Sequence, residues 1–88
     1  MDTIIGRYVW SKSGRDKDHL FIIIDIIDDG NVLVADGNLR RVDNPKKKNL
    51  KHLKITNQVS EEVSETVLAK KKLNDSDLQK AVLRYNEA

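Results

Sequence analysis

A charged turn between two apolar segments is the feature that most constrains the fold of this chain. Residues 4–10 and 20–27 are rich in β-branched and aromatic side chains, so each segment is predicted to form a strand. Gly14 lies in the middle of their connection, where glycine permits a backbone conformation that few side chains tolerate. The sequence therefore predicts two strands joined by a tight loop that can bind anions. The cations of this loop are Lys12, Arg15 and Lys17.

The size of the chain limits what it can enclose. A single domain of 88 residues buries only about 60% of its unfolded surface, so a deep catalytic cleft would compete with its own core. There is no cysteine, which excludes disulfides and thiolate metal sites and suits a reducing compartment. The chain begins without a basic leader, and its apolar segments are too short to cross a bilayer. We expect a soluble, cytoplasmic protein that is monomeric when free and has no membrane partner.

Further strands are predicted at short intervals after the first two. Residues 32–35 and 39–42 form two of them, and residues 50–55 form either a fifth strand or a helical turn before one. No connection before residue 56 is long enough for a crossover helix, so the strands are expected to pair antiparallel. The predicted fold class is therefore mainly β, a small five-stranded SH3-like barrel. In the second strand, the side chains expected on the core face are Ile22, Ile24 and Ile26.

The sequence beyond residue 56 has helical periodicity. A first helix is predicted within residues 60–72, and Asn74 is predicted to cap a second helix with Asp77 in the capping-box position. The chain is therefore divided into a barrel at residues 1–56 and a C-terminal appendage of two short helices at residues 57–88. The apolar positions of the helices are Val59, Val63, Val67, Leu78, Ala81, Val82 and Tyr85.

Positive charge is concentrated after the predicted fourth strand. The net charge is only +2, but residues 40–54 hold seven lysines and arginines against one acid, Asp43. A barrel could bring this segment and the Gly14 loop onto one face. Lysines there would bind phosphate as flexible point charges, whereas arginines could make forked contacts or stack on an unpaired base. These arginines are Arg15, Arg40 and Arg41.

The same residues resemble a known family. Gly6, Val9 and Gly14, followed by the apolar strand, match the KOW motif of ribosomal proteins and NusG-type transcription factors. Further segments look like the bacterial KOW-domain RNA-binding proteins, which resemble the fourteen-e large-subunit ribosomal proteins of archaea and eukaryotes. These segments are residues 13–17, 32–37, 40–41, 45–48 and 52–53, so that the resemblance covers residues 4–56. One position departs from the pattern, because Asp18 stands where related sequences carry glycine.

This resemblance implies a KOW-type barrel that binds structured RNA, and ribosomal RNA is the expected partner, with ribosomal proteins as further partners. The alternative function is a protein-interaction module of the translation or transcription machinery, which would use the barrel or the C-terminal helices. The predicted RNA-binding residues are Lys12, Ser13, Gly14, Arg15, Lys17, Arg40, Arg41, Lys46, Lys47, Lys48, Lys51 and His52.

Several signals also have simpler structural explanations. A triple lysine can be a solvated loop, and Tyr8 and Trp10 are expected in the core more than on RNA. Asp16 is expected to pair with Arg15 or Lys17 and hold the loop. The two histidines are far apart in sequence, and the aspartates of residues 25–29 lack the spacing of a calcium loop. We therefore expect no catalytic residues, no metal site and no cofactor, and not an enzyme.

Overall fold

The computed structural model describes residues 3–87, which form five strands followed by two helices. The strands are β1 (Arg7–Ser11), β2 (Leu20–Ile26), β3 (Asn31–Ala35), β4 (Lys46–Asn49) and β5 (Leu53–Val59). The helices are α1 (Glu61–Leu68) and α2 (Asp75–Glu87), and a single 3₁₀ turn, Leu50–His52, lies between β4 and β5. The mainly β class with two C-terminal helices agrees with the prediction.

All five strands belong to one antiparallel sheet in the order β4-β3-β2-β1-β5. β4 and β5 are the two edges and do not pair, so the sheet is not closed as the predicted barrel would be. The 3₁₀ turn carries the chain from one edge to the other. The N–H of Leu50 donates to Gly30 O over 2.9 Å, and the N–H of Lys12 donates to His52 O over 2.8 Å. The turn is therefore anchored to both halves of the sheet.

The predicted fourth strand at residues 39–42 is wrong, because the fourth strand is Lys46–Asn49. The Asp36 carboxylate accepts hydrogen bonds from the N–H groups of Asn38 and Arg40 over 3.0 and 2.9 Å. These bonds close a tight turn where a strand was expected, and the chain reaches the sheet only after it. Of the two alternatives for residues 50–55, the helical turn before a strand is confirmed.

The central strand β2 is buried on both faces. Its Ile22 and Ile24 lie under the helices, as predicted, in a cluster with Tyr8. The opposite face packs in a second cluster, whose buried side chains are Ile5, Val9, Phe21, Ile23, Val32, Val34 and Leu53. The described residues thus form two apolar clusters, one between the sheet and the helices and one on the other face of the sheet.

Ile26 does not share the face of Ile22 and Ile24, and it is 44% exposed, so its predicted place in the core is wrong. The register between β2 and β3 shifts between Ile23 and Asp25, and this bulge changes the alternation of side chains. Beyond the bulge, Ile26 lies opposite Val32, on the other face of the sheet.

The two helices pack on the sheet through Val63, Leu78 and Ala81, which are buried with Tyr8 in one cluster. The Tyr8 hydroxyl donates to Ala81 O over 2.8 Å. Asn74 N donates to Asp77 Oδ2 over 2.9 Å, which is the half of the predicted capping box that Asp77 supplies. No helix within residues 3–87 has the length and apolar character to cross a membrane. The division at residue 56 stays a prediction.

Candidate functional site

A buried lysine fastens strand β4 to the loop between β1 and β2. The Lys48 side chain is 7% exposed, and its ammonium donates to Ser11 Oγ, Ser13 O and Asp16 Oδ1, each over 3.0 Å. Three ammonium protons thus meet three oxygens, which satisfies a buried charge. The loop and the basic segment, about thirty residues apart in sequence, therefore lie side by side.

Asp16 is the centre of this network. Its Oδ1 accepts a 2.7 Å hydrogen bond from Ser11 Oγ, and its Oδ2 lies 2.9 Å from Lys46 Nζ. Burial opposes ionisation, but the hydrogen bonds from Ser11, Lys46 and Lys48 outweigh it and hold the pKa of Asp16 well below its usual range. The predicted pairing of Asp16 with Arg15 or Lys17 is wrong, because the carboxylate pairs with Lys46 and Lys48 of β4.

The three consecutive lysines of β4 do not form one patch. In the β3–β4 register, Lys46 and Lys48 lie opposite Val34 and Val32, whereas Lys47 lies opposite Leu33 on the other face. Lys47 is exposed, and its charge makes a minor contribution to the lowered pKa of Asp28, which hydrogen bonds from Gly30 and Asn31 mainly cause. Strand alternation thus separates Lys47 from the two lysines that hold the loop.

The backbone of the loop is left-handed at two positions. Gly14 has φ of +83° and Asp18 has φ of +69°. Asp18 therefore adopts a backbone conformation that is typical of glycine. Asn and Asp tolerate this region better than other side chains, at some cost in strain. Lys12, Arg15 and Lys17 project from this loop and are exposed.

Substitutions at Asp18 should report this strain. We expect Asp18→Ala to lower the free energy of unfolding by about 1 kcal/mol, because alanine is strained at positive φ. Asp18→Gly should lower it by less than about 0.5 kcal/mol, because glycine adopts this conformation without strain. Urea unfolding of both variants would measure the difference. An alanine variant as stable as the glycine variant would contradict the left-handed assignment.

One side of the loop borders a cationic cleft of about 270 Å³, lined by Arg15, Asp16, Leu39, Arg40 and Lys46. The turn that carries Leu39 and Arg40 is fixed from below by Asp36. Asp36 is buried, and its Oδ2 lies 2.7 Å from His19 Nε2 while its Oδ1 accepts from the backbone. Burial raises the pKa of Asp36, but the hydrogen bonds from the Arg40 N–H and from His19 outweigh it and the pKa is lowered. The two arginines of the cleft, Arg15 and Arg40, therefore lie on turns that hydrogen bonds hold in place.

The other side of the loop borders the 3₁₀ turn. Ser13 Oγ lies 2.7 Å from His52 Nδ1, and the backbone bond between Lys12 and His52 runs alongside. Lys51 is exposed next to His52, and Lys54 is exposed on the neighbouring β5. The loop thus has cationic side chains on both sides.

Arg41 lies away from the Gly14 loop and contacts the first residue of α2. Its Nε lies 3.0 Å from Asp75 Oδ2, and the N–H of Val42 donates to Asp75 Oδ1 over 2.7 Å. The Val42 N–H, and after it Arg41, lower the pKa of Asp75. Arg41 therefore tethers the start of α2. Of the predicted set, the structure brings ten residues to the loop and its borders and leaves Arg41 and Lys47 apart. The ten are Lys12, Ser13, Gly14, Arg15, Lys17, Arg40, Lys46, Lys48, Lys51 and His52.

The fold also places two serine hydroxyls next to a lysine and a histidine, which spacing in the sequence did not suggest. Ser11 Oγ lies 3.0 Å from Lys48 Nζ, but Ser11 is only 1% exposed, so no substrate can reach its hydroxyl. Ser13 with His52 is exposed, yet no carboxylate within residues 3–87 pairs with this histidine to orient it. Both pairs serve to position the loop. Within the same residues, no cluster of side chains could hold a metal ion.

Comparison with known proteins relates this chain to a bacterial protein. No protein-family model matches the chain. It is 38% identical over 64 residues to the "Putative ribosome-binding protein YbzG" of Bacillus subtilis (strain 168). The alignment covers 73% of this chain and 86% of that protein. The chain therefore belongs to the same family as B. subtilis YbzG.

Proposed function

We propose that this protein binds the ribosome through structured ribosomal RNA, as a KOW-type RNA-binding protein with an SH3-like sheet. The name of the YbzG relative supports a ribosomal partner. The observation that carries the proposal is the Lys48–Asp16 network, which joins the Gly14 loop to the basic strand. The left-handed Asp18, at the position where the resembling sequences carry glycine, supports the KOW assignment.

The charge distribution fits a phosphate backbone. Lys46 and Lys48 are neutralised in part by Asp16, so their contribution is to hold the loop rigid and not to contact RNA directly. A rigid loop loses little conformational entropy on binding. The cations that remain exposed or half-buried around it can each meet a phosphate, and arginines can do so with two hydrogen bonds. These are Lys12, Arg15, Lys17, Arg40, Lys51 and Lys54.

Binding through these contacts should depend steeply on salt. If about five phosphates are contacted, affinity for a folded ribosomal RNA fragment should fall by two to three decades between about 50 and 200 mM salt, because each contact releases counterions. Fluorescence anisotropy of labelled RNA at several salt concentrations would measure the slope.

A pair of matched variants tests which surface is used. Lys12→Ala/Lys51→Ala removes two exposed lysines beside the loop, whereas Lys71→Ala/Lys72→Ala removes two exposed lysines between the helices. We expect the first pair to weaken binding about tenfold or more near 0.1 M salt and to reduce the salt slope by about one to two, and the second pair to change both much less. Equal effects of the two pairs would contradict this interface.

The same variants separate RNA from protein contacts on the ribosome. Cosedimentation with ribosomal subunits should be weakened by Lys12→Ala/Lys51→Ala and restored by lowering the salt. Ribosome association that is indifferent to these lysines and to salt would favour a ribosomal protein as the partner and would overturn the RNA part of the proposal.

A further inference from the structure

A second depression adjoins the cationic cleft. It is a groove of about 400 Å³ between the β1–β2 loop and α2, and Leu39 lines both the groove and the cleft. Leu39 is 59% exposed, so it stands as a ridge between them. The apolar walls of the groove are Trp10, Leu20 and Val82.

We propose that one unpaired base, extruded from the folded RNA, occupies this groove against Trp10, while the adjoining phosphates lie in the cationic cleft beyond Leu39. This inference rests on the proposed function and extends it, because it names the RNA feature that the protein recognises.

The aromatic wall suits a base. Trp10 is half-buried, and its ring meets Tyr85 of α2 edge-on, with centroids 6.1 Å apart and planes at 67°. Tyr85 in turn packs on Tyr8 at 4.6 Å. The indole is therefore held in a fixed orientation before any ligand binds. Unpaired bases in folded RNA stack on aromatic side chains of this kind.

The electrostatics of the two depressions differ in the way that a nucleotide requires. Asp18 and Asp36 line the groove, and their negative charges disfavour a phosphate there. The exposed Asp18 carboxylate can accept hydrogen bonds from the amino groups of a neutral base, whereas the buried Asp36 is already engaged by His19 and backbone N–H groups. The cleft on the other side of Leu39 carries Arg15 and Arg40 and favours a phosphate. A neutral base and its charged backbone thus have separate, adjacent sites.

The chain has a single tryptophan, so tryptophan emission, excited at a wavelength that tyrosine does not absorb, reports on this groove alone. The probes are three RNA hairpins of equal length: one fully paired, one with a single unpaired nucleotide, and one whose unpaired nucleotide lacks the base. Anisotropy of labelled RNA measures binding, and Trp10 emission measures stacking. We expect the hairpin with the intact unpaired base to bind about tenfold more tightly than the other two and to quench Trp10, and the abasic hairpin to bind without quenching.

Two leucine variants provide the matched control. Leu39→Ser removes the ridge, and Leu83→Ser changes a side chain of α2 with the same 59% exposure that does not line the groove. We expect Leu39→Ser to reduce the preference for the unpaired base at least threefold and Leu83→Ser to leave it unchanged.

The outcomes distinguish the two proposals. Equal binding of all three hairpins without quenching would overturn the base site and leave the proposed function standing. Failure of every hairpin to bind would overturn the proposed function, and the base site with it.

Discussion

Replacement of Lys48 by alanine should lower the free energy of unfolding by about 3 kcal/mol, because it removes one of the two ammonium groups that pair with the buried Asp16 carboxylate. A loss of this size is a large part of the stability of a small domain. Urea unfolding followed by circular dichroism would measure it. The control is Lys47→Ala, which removes the neighbouring exposed lysine and should cost less than about 0.5 kcal/mol. Equal losses in the two variants would contradict the buried network.

The same network gives the protein an acid-sensitive component of stability. The pKa of Asp16 is lower in the folded chain than in the unfolded chain, where it is about 3.9, so its ionised form stabilises the fold above that value. This contribution is lost as the pH falls below it. The stability difference between the wild type and Asp16→Asn should therefore be full at pH 6 and should shrink progressively toward about pH 2. A difference independent of pH would mean that the carboxylate charge does not hold the loop.

Replacement of Gly37 by alanine should cost about 2–5 kcal/mol. Gly37 has φ of +84°, which is strained for alanine, and a Cβ there would collide with the backbone oxygen of Asp75. Relief would require α2 to move away from the Asp36 turn. The matched control is Gly14→Ala, with nearly the same φ of +83° but no atom closer than 3.6 Å to the added Cβ.

Gly14→Ala should therefore cost only the strain of the backbone, about 1–2 kcal/mol. Thermal unfolding of the two variants would separate strain from collision. If both lost the same stability, the close approach of the Asp36 turn to α2 would be refuted.

The first three strands could be predicted from the sequence because apolar, β-branched residues mark them locally. β4 could not, since a strand of sequence Lys-Lys-Lys-Asn has no such pattern. Its conformation depends on pairing with β3 and on the long-range contact of Lys48 with Asp16. Residues 39–42 have strand-like composition, but two of their backbone N–H groups donate to carboxylates, Arg40 to Asp36 and Val42 to Asp75, instead of to a neighbouring strand.

The candidate site shows the same division between local and long-range information. The residues of the loop and the basic segment are visible in the sequence, and their adjacency follows from the sheet even though it is not closed. The pairing of each cation cannot be predicted from the sequence, because it depends on which carboxylate the fold brings near. Asp16 captures Lys46 and Lys48, and Asp75 captures Arg41. The Trp10 groove requires α2, which only the tertiary structure brings against β1.

The alternation of lysines along β4 has a consequence for how members of this family diverge. A shift of one residue in the register with which β4 pairs with β3 would exchange inward and outward positions at unchanged net charge. Such a change would expose Lys46 and Lys48 to solvent and bury Lys47, which now faces water. Two homologues with the same number of basic residues could therefore differ sharply in loop rigidity. Whether each lysine of this strand lies at an inward or an outward position is a better guide to that rigidity than a count of positive charges.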